Sequence, residues 1–291
     1  MKQTDLVLVL DRLRALKERA PELFEVEKRL ARLTRKYLDL EKESRSRKNR
    51  HDAVVRRRSW LWVFDEVDGN HEMIKWLKED VEETLERKRE IEEQMKDLVL
   101  RHPVYNYYLK RQPGLGPVLS AQLLGWLQPW RFKNPSAMIR YVGYTPRSNE
   151  KHDRTGKTIV HKIVMSMIRK IPGNFWREVY EEFYERVRET ECRENKCTKR
   201  ALHMKALRRV KRLFLSHYYC AYAIILRCKY GLDILPTTPY VATIHPPIDP
   251  RELKDRTRYR DIPSRYLPPC VPAKGVWMPL EELICRNNKS Q

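Results

Sequence analysis

Residues 111–127 read RQPGLGPVLSAQLLGWL, and this stretch decides how the middle of the chain folds. Glycine is scarce, with 9 in 291 residues, yet Gly114 and Gly116 lie two residues apart at the start of an apolar run. Glycine adopts positive φ angles that other residues avoid, and a proline such as Pro117 is favoured at the first position of a helix. The stretch therefore predicts two short helices joined by a tight turn, a helix-hairpin-helix.

The turn of this predicted hairpin would expose backbone N–H groups at the start of its second helix. Such groups, together with the positive end of the helix dipole, bind phosphate, and they do so without reading bases. Gly114, Leu115 and Gly116 are therefore candidate nucleic-acid-binding residues. The alternative interpretation is a plain helix–helix turn that packs in the core.

The charge of the chain favours a polyanionic partner. The formal net charge is +21, and residues 131–230 alone hold 24 Lys and Arg against 9 Asp and Glu. Nucleic acid is the expected partner of a chain with this positive charge, because each phosphate that the protein neutralises releases counterions. The sequence favours neither an acidic membrane surface nor an acidic protein. The candidate phosphate-binding cations are Arg131, Lys133, Arg147, Lys151, Arg154, Lys157, Lys162, Lys205, Arg208, Arg209 and Arg212.

The hydropathy pattern predicts no membrane association. Charged residues make up 34% of the chain and the mean hydropathy is -0.71. The longest apolar stretches, at residues 60–64 and 213–226, fall short of the roughly 18 residues that a membrane helix needs. The first 19 residues do not have the form of a signal peptide. We therefore expect a cytoplasmic, nucleoid-associated protein.

Six cysteines are scattered along the chain. Cys220 and Cys228 are two turns apart in a helical pattern, which indicates core packing. Cys192 and Cys197 have His203 nearby and offer ligand types that zinc accepts, but no fourth ligand is evident and the spacing is not that of a zinc finger. An ordinary loop is the favoured interpretation. The sequence predicts neither a metal nor a cofactor.

The apolar pattern predicts an all-α fold. Residues 1–101 form helices with a heptad seam, either an antiparallel hairpin or a coiled coil through which the chain forms a homo-oligomer. Residues 102–230 form a helical nucleic-acid-binding domain. Residues 231–291 hold 10 of the 18 prolines and predict an extended, irregular arm. The seam consists of Leu23, Val26, Leu30, Leu33, Tyr37 and Leu40.

Two longer stretches extend the hairpin into a family resemblance. Residues 113–147 read PGLGPVLSAQLLGWLQPWRFKNPSAMIRYVGYTPR, and residues 174–189 read NFWREVYEEFYERVRE. Together they resemble the C-terminal domain of the IS-one-ten family of insertion-sequence transposases, over about residues 75–230. The resemblance implies a DNA-binding domain that contains a helix-hairpin-helix and takes part in DNA transposition and recombination.

The chain departs from this family in two places that bear on catalysis. The family carries a RuvC-like nuclease with four acidic metal ligands, and residues 1–100 show no such pattern. The family's nucleophilic serine is matched by Thr155, while Ser148 is the nearest serine in the sequence. A hydroxyl nucleophile needs a base or a metal, and the segment offers His152, Asp153 and His161. Thr155 and Ser148 are the catalytic candidates.

Three functions remain open on the sequence alone. The favoured one is a transposase-derived DNA-binding protein without its own nuclease. A second is an active transposase or recombinase subunit whose partner supplies the metal site. The third is a scaffold for structured RNA or nucleoprotein, because the resembled family works with a guide RNA. Nothing in the sequence separates DNA from RNA.

Overall fold

The computed structural model describes residues 3–60, 68–145, 152–170, 174–191, 198–235, 270–273, 276–280 and 284. In these ranges the fold is all-α, as the sequence predicts. The helices are α1 (Gln3–Arg19), α2 (Pro21–Trp60), α3 (Asp68–Leu100), α4 (Pro103–Tyr107), α5 (Pro117–Trp126), α6 (Pro135–Tyr141), α7 (Arg154–Lys170), α8 (Phe175–Glu191) and α9 (Lys199–Tyr230). Two 3-10 turns, Leu109–Arg111 and Pro129–Arg131, flank α5.

Helices α2 and α3 form an antiparallel pair, which was one of the two arrangements predicted. Arg47 of α2 pairs with Asp80 of α3, and Lys88 of α3 lies 5.0 Å from the ring centroid of Tyr37. Leu23 and Leu30 of the heptad seam, with Tyr37, are buried against α3 and α5. These three seam residues are therefore covered within one chain, while the predicted self-association through the seam stays a prediction.

The crossing of α2 and α5 depends on a glycine. A Cβ atom at Gly125 would lie 2.6 Å from the carbonyl oxygen of Leu30, which real Cβ atoms do not tolerate. The hydroxyl of Thr34 donates to the carbonyl of Ala121 at the same crossing. The backbones of α2 and α5 approach this closely because residue 125 has no side chain.

Gly125→Ala is expected to destabilise the fold. In an ordinary helix interior this change adds about 1 kcal/mol of stability, but here the methyl group would push α5 from α2 and cost about 1–3 kcal/mol. Gly116→Ser is the control, because a Cβ at Gly116 meets nothing within 4 Å. Urea unfolding measures both changes. Equal midpoints for the two variants would contradict the close crossing.

The second half of α9 forms the centre of the core. Its tyrosine hydroxyls reach backbone carbonyls of the segment after α5: Tyr218 donates to Leu127 at 3.0 Å and Tyr219 donates to Phe132 at 2.9 Å. Cys220 is buried in the same stretch of α9, as predicted, and burial raises the pKa of its thiol to about 12. A single hydrophobic cluster contains residues of α1, α2, α3 and α9, so it spans the boundary predicted at residue 101.

Glu27 lies at the polar centre of this core and is 1% exposed. Its carboxylate accepts hydrogen bonds from the hydroxyl of Tyr222 at 2.5 Å and from Nε1 of Trp130 at 2.7 Å. Nε2 of His102 lies 3.3 Å away. Because Nδ1 of His102 accepts from the backbone N–H of Val104, Nε2 carries the proton and donates to Glu27. The carboxylate thus joins α2, the residue before α4, the second 3-10 turn and α9.

The described part of the C-terminal arm is not irregular throughout. Strand β1 (Cys270–Ala273) pairs antiparallel with β2 (Val276–Pro279), and Leu280 and Ile284 are buried in the core. Val271, Val276 and Trp277 favour strands, and two pairing segments satisfy backbone groups that an isolated arm leaves to water. The rest of the predicted arm lies outside the described residues.

Candidate nucleic-acid interface

The first glycine of the hairpin serves packing. Gly114 has a φ of +73°, and a Cβ atom there would lie 2.6 Å from the carbonyl oxygen of Ser166 on α7. The hydroxyl of Ser166 donates to the carbonyl of Gly114 at 2.6 Å. The turn is therefore pressed onto α7. Gly114 therefore fits the alternative interpretation of the hairpin, in which the turn packs in the core.

The second glycine faces solvent. Gly116 is exposed, its φ of -81° is ordinary, and no side chain caps the helix that it starts. Leu115 between the two glycines is buried, and its N–H already donates to the carbonyl of Gln112 at 3.3 Å. Of the three hairpin residues singled out from the sequence, Gly116 is the one that leaves an approach to backbone N–H groups.

The start of α7 already holds a carboxylate. Asp153 accepts from the N–H groups of Thr155 and Gly156, each at 3.0 Å, and from Nε1 of Trp126 at 2.6 Å. A Cβ at Gly156 would lie 2.5 Å from this carboxylate, so the glycine makes room for the cap. Asp153 is therefore the N-cap of α7, and its oxygens are committed to that role rather than to activating a hydroxyl.

Cations gather in a groove between α2 and the first half of α7. The groove has a volume of about 190 Å³. Arg154 and Lys162, two of the candidate cations, lie here with Lys42 and Arg45, which the sequence analysis did not select. We call it the α2–α7 groove; its lining is Leu38, Glu41, Lys42, Arg45, Arg154, Thr155, Thr158, Ile159 and Lys162.

Thr155 lines the same groove, but nothing positioned there activates it. Glu41 is the carboxylate of the groove lining, and its Oε1 lies 2.6 Å from Nζ of Lys162 and 3.8 Å from Arg45. His161 lies on another side of α7, where it faces Lys211 and His203 rather than the groove. Ser148, the other catalytic candidate, lies outside the described residues. No cluster of three or more metal-binding side chains occurs in the described ranges.

The structure separates the α7 cations onto two sides of the helix. Thr155, Lys162 and Ser166 are seven and four residues apart and share one face. Lys157 is two residues from Thr155 and therefore lies about 200° round the helix. There it faces Tyr144, whose hydroxyl donates to the carbonyl of Lys157 at 2.9 Å.

Lys211 of α9 lies beside Lys157 and is not among the cations predicted from the sequence. It is 4% exposed, and its Nζ lies 5.3 Å from the ring centroid of Tyr144. Burial, together with the charges of Lys157 and Arg208, lowers its pKa to about 8. A signal was present in the sequence: Lys211 follows Leu207 by four residues and precedes Phe214 by three, so it occupies a core position of the apolar stripe.

Two histidines border the same region. Burial lowers the pKa of His161, and Lys211, Arg169 and His203 lower it further. Burial also lowers the pKa of His203, followed by the charges of Arg169 and Lys211. Nδ1 of His203 lies 2.7 Å from the hydroxyl of Tyr180. Both imidazoles are therefore neutral at pH 7, in a region where the surrounding charges are positive.

The remaining candidate residues are spread over the helical body. Arg131 is exposed and donates to the carbonyl of Trp126 at 3.4 Å, and Lys133 is exposed. The spacing of the selected α9 cations places them on one face of the helix: Lys205, Arg208, Arg209 and Arg212. The candidates that lie outside the described residues are Arg147, Ser148, Lys151, Cys192 and Cys197.

Comparison with known proteins leaves the function to be argued from this geometry. No model of a protein family matches the chain, and no curated protein matches it. Among the helices of the described ranges, none has both the length and the apolar character that crossing a membrane requires.

Proposed function

We propose that the chain is a transposase-related DNA-binding protein that holds the phosphate backbone through its hairpin and its basic helices, without a nuclease site of its own. One observation carries the proposal. The hairpin, with its exposed Gly116, and the cations of the α2–α7 groove lie along the same side of α7, because Gly114 rests on Ser166 and Ser166 is one turn beyond Lys162.

The distances suit a nucleic-acid backbone. Thr155 and Ser166 are eleven residues apart, so this face of α7 extends about 16 Å at 1.5 Å per residue. Successive phosphates of a DNA strand advance about 3.4 Å along the helix axis. The face therefore spans about five phosphates, with the groove cations at one end and the bare start of α5 at the other.

The chemistry of this surface indicates binding with little sequence preference. Its groups are ammonium and guanidinium cations and backbone N–H groups, all of which recognise phosphate oxygens. Contacts of this kind fix the position of the backbone but carry no base information, and their affinity falls steeply with salt. A role in DNA transposition or recombination, as the sequence resemblance implies, would then depend on a partner that supplies the cutting chemistry.

Gly116→Asp is expected to weaken binding of duplex DNA by about tenfold while leaving the fold as stable as before. Aspartate is a good N-cap and would satisfy the amides of the first turn of α5. It would also place a negative charge where a phosphate would lie, and such a like-charge contact costs about 1–4 kcal/mol near a surface. Fluorescence anisotropy with two unrelated duplexes measures the effect, and thermal unfolding checks the fold.

Gly116→Ser is the matched control, because serine also caps the helix but adds no charge. It should bind within about twofold of the original chain, and both duplexes should respond alike to the aspartate. If Gly116→Asp binds as the original chain does, the hairpin is only structural. If a structured RNA binds much more tightly than either duplex, the RNA scaffold replaces the DNA-binding protein as the function.

A further inference from the structure

Lys211 is a buried cation surrounded by cations. Lys157 of α7 and Arg208 of α9 are the charges that act on it most directly. The histidines and arginine that adjoin the site are His161, Arg169 and His203. In the described part of the chain no carboxylate forms an ion pair with Lys211, whereas Lys162 on the other side of α7 is paired with Glu41 at 2.6 Å.

Packing does not explain a lysine at this position. The neighbouring positions of the stripe, such as Leu207, Val210 and Phe214, are apolar and fully buried, and a leucine or methionine would fill the same volume without a charge. The ring of Tyr144 offers partial compensation through a cation–π contact. Lys157 also lies over that ring, at 6.0 Å, so two like charges share one aromatic ring. The arrangement is unfavourable until an anion joins it.

We propose that Lys211, Lys157 and Arg208 form a binding site for a phosphate monoester dianion, supplied by the terminal phosphate of a nucleic-acid strand. This inference rests on the proposed function for the source of the phosphate, but the site itself does not depend on it. Two negative charges suit three cations that no described carboxylate neutralises.

The burial of Lys211 favours a terminal phosphate over an internal phosphodiester. Arg208 is exposed and Lys157 is half-buried, while Lys211 is 4% exposed. A terminal phosphate carries a chain on one side only and can enter between the two outer cations to reach the ammonium behind them. An internal phosphodiester is flanked by sugars on both sides and carries one charge. The α2–α7 groove, by contrast, is a surface feature suited to internal phosphates.

The balance of charge distinguishes this site from a cavity near His203. That cavity, of about 340 Å³ between α8 and α9, is lined by Arg177 and Lys199 but also by Glu181 and Glu185. Arg177 donates to Glu181 at 2.6 Å. Its charges are therefore compensated within the chain, and it does not call for an anion as the Lys211 site does.

The experiment compares single-stranded oligonucleotides of one sequence with a 5′-phosphate, with a 3′-phosphate and with neither, binding to the full chain. We expect at least one phosphorylated form to bind about tenfold more tightly than the unphosphorylated form. Lys211→Met, which keeps the volume and removes the buried charge, should abolish that preference and leave the thermal midpoint unchanged or higher. Lys28→Met, which removes an exposed cation of α2 outside the groove, should keep the preference.

The preference for the phosphorylated strand should also depend on pH, and it should weaken as Lys211 loses its proton. The ammonium binds the dianion, and its pKa of about 8 means that the protonated fraction falls across pH 7–9. Phosphate monoesters are already dianions there, since their second pKa is about 6. His161 and His203 are neutral throughout this range. The preference for the phosphorylated strand should therefore fall about tenfold from pH 7 to pH 9, and Lys211→Met should show no such fall.

Each other outcome has a defined meaning. Equal binding of all three oligonucleotides would overturn the inference and leave the proposed function standing. If no oligonucleotide binds but inorganic phosphate raises the thermal midpoint in a Lys211-dependent way, the site is confirmed, whereas the strand end and the proposed function both fail.

Discussion

Glu27→Ala is expected to lower the free energy of unfolding by about 3–5 kcal/mol, the loss typical of breaking a buried charged network. The change leaves three buried donors without their acceptor: the hydroxyl of Tyr222, Nε1 of Trp130 and Nε2 of His102. Burial and the charge of Glu27 raise the pKa of Tyr222 well above its ordinary value. Its hydroxyl therefore stays protonated and keeps its need for an acceptor.

Glu25→Ala is the matched control on the same helix. Glu25 is exposed and pairs with Lys28 at 3.2 Å, and exposed ion pairs contribute about 0–1 kcal/mol. Denaturant unfolding of both variants, monitored by circular dichroism, gives the comparison. If Glu27→Ala unfolds at the same midpoint as Glu25→Ala, the buried network does not hold α2 to α9, and the tyrosine and tryptophan donors have found other acceptors.

The elements of the fold were largely visible in the sequence, because local signals fix them. Pro21 and Pro117 stand at the first positions of α2 and α5, where proline is favoured. The boundary between the first two helices after residue 153 also has a local signal: α7 ends at Lys170 and α8 begins at Phe175. Asn174 caps α8 by accepting from the N–H of Arg177 at 3.0 Å, and Pro172 precedes it in the sequence.

What covers an apolar face could not be predicted from the sequence. The seam at Leu23, Leu30 and Tyr37 has the spacing of a coiled coil, and that spacing is the same whether the partner is a second chain or another helix of the same chain. In the structure, α3 and α5 of the same chain pack against α2, and the missing side chain of Gly125 lets α5 approach closely. A glycine in an apolar helix does not by itself predict such a close helix crossing, since glycine also occurs in helices without a packing role.

The sequence predicted the positive charge of the candidate site, but not which cations lie together. The excess of Lys and Arg in residues 131–230 can be counted, and helical spacing alone separates Lys157 from Lys162. Which helices pack against these two sides of α7 depends on the tertiary structure. Lys42 and Arg45 join the groove from a region that the sequence analysis treated as structural. Lys211 could have been found, because a lysine in an apolar stripe breaks a local rule, and such breaks concentrate at functional sites.

Reversing two charges of the α2–α7 groove, Lys42→Glu with Arg154→Glu, is expected to weaken duplex binding about 100-fold at low salt. Each lost phosphate contact lowers the salt slope by about one unit, so the slope should fall by about two. Lys42 is well exposed and Arg154 is exposed in the first turn of α7. An acidic residue is favourable in a first helical turn, so the fold should not suffer.

The control must carry the same change in net charge. Lys28→Glu with Lys78→Glu reverses two exposed cations outside the groove, and Lys28 lies about 21 Å along α2 from Lys42 at 1.5 Å per residue. Long-range attraction alone would weaken binding equally in both double variants, because a net charge of +21 falls by four in each. A local backbone contact predicts a large loss only for the groove pair, with the slope of the control within about half a unit of the original. Equal losses of affinity in the two double variants would show that the phosphates do not lie in the groove. The surface of α7 would then contribute to binding only through the overall positive charge of the chain.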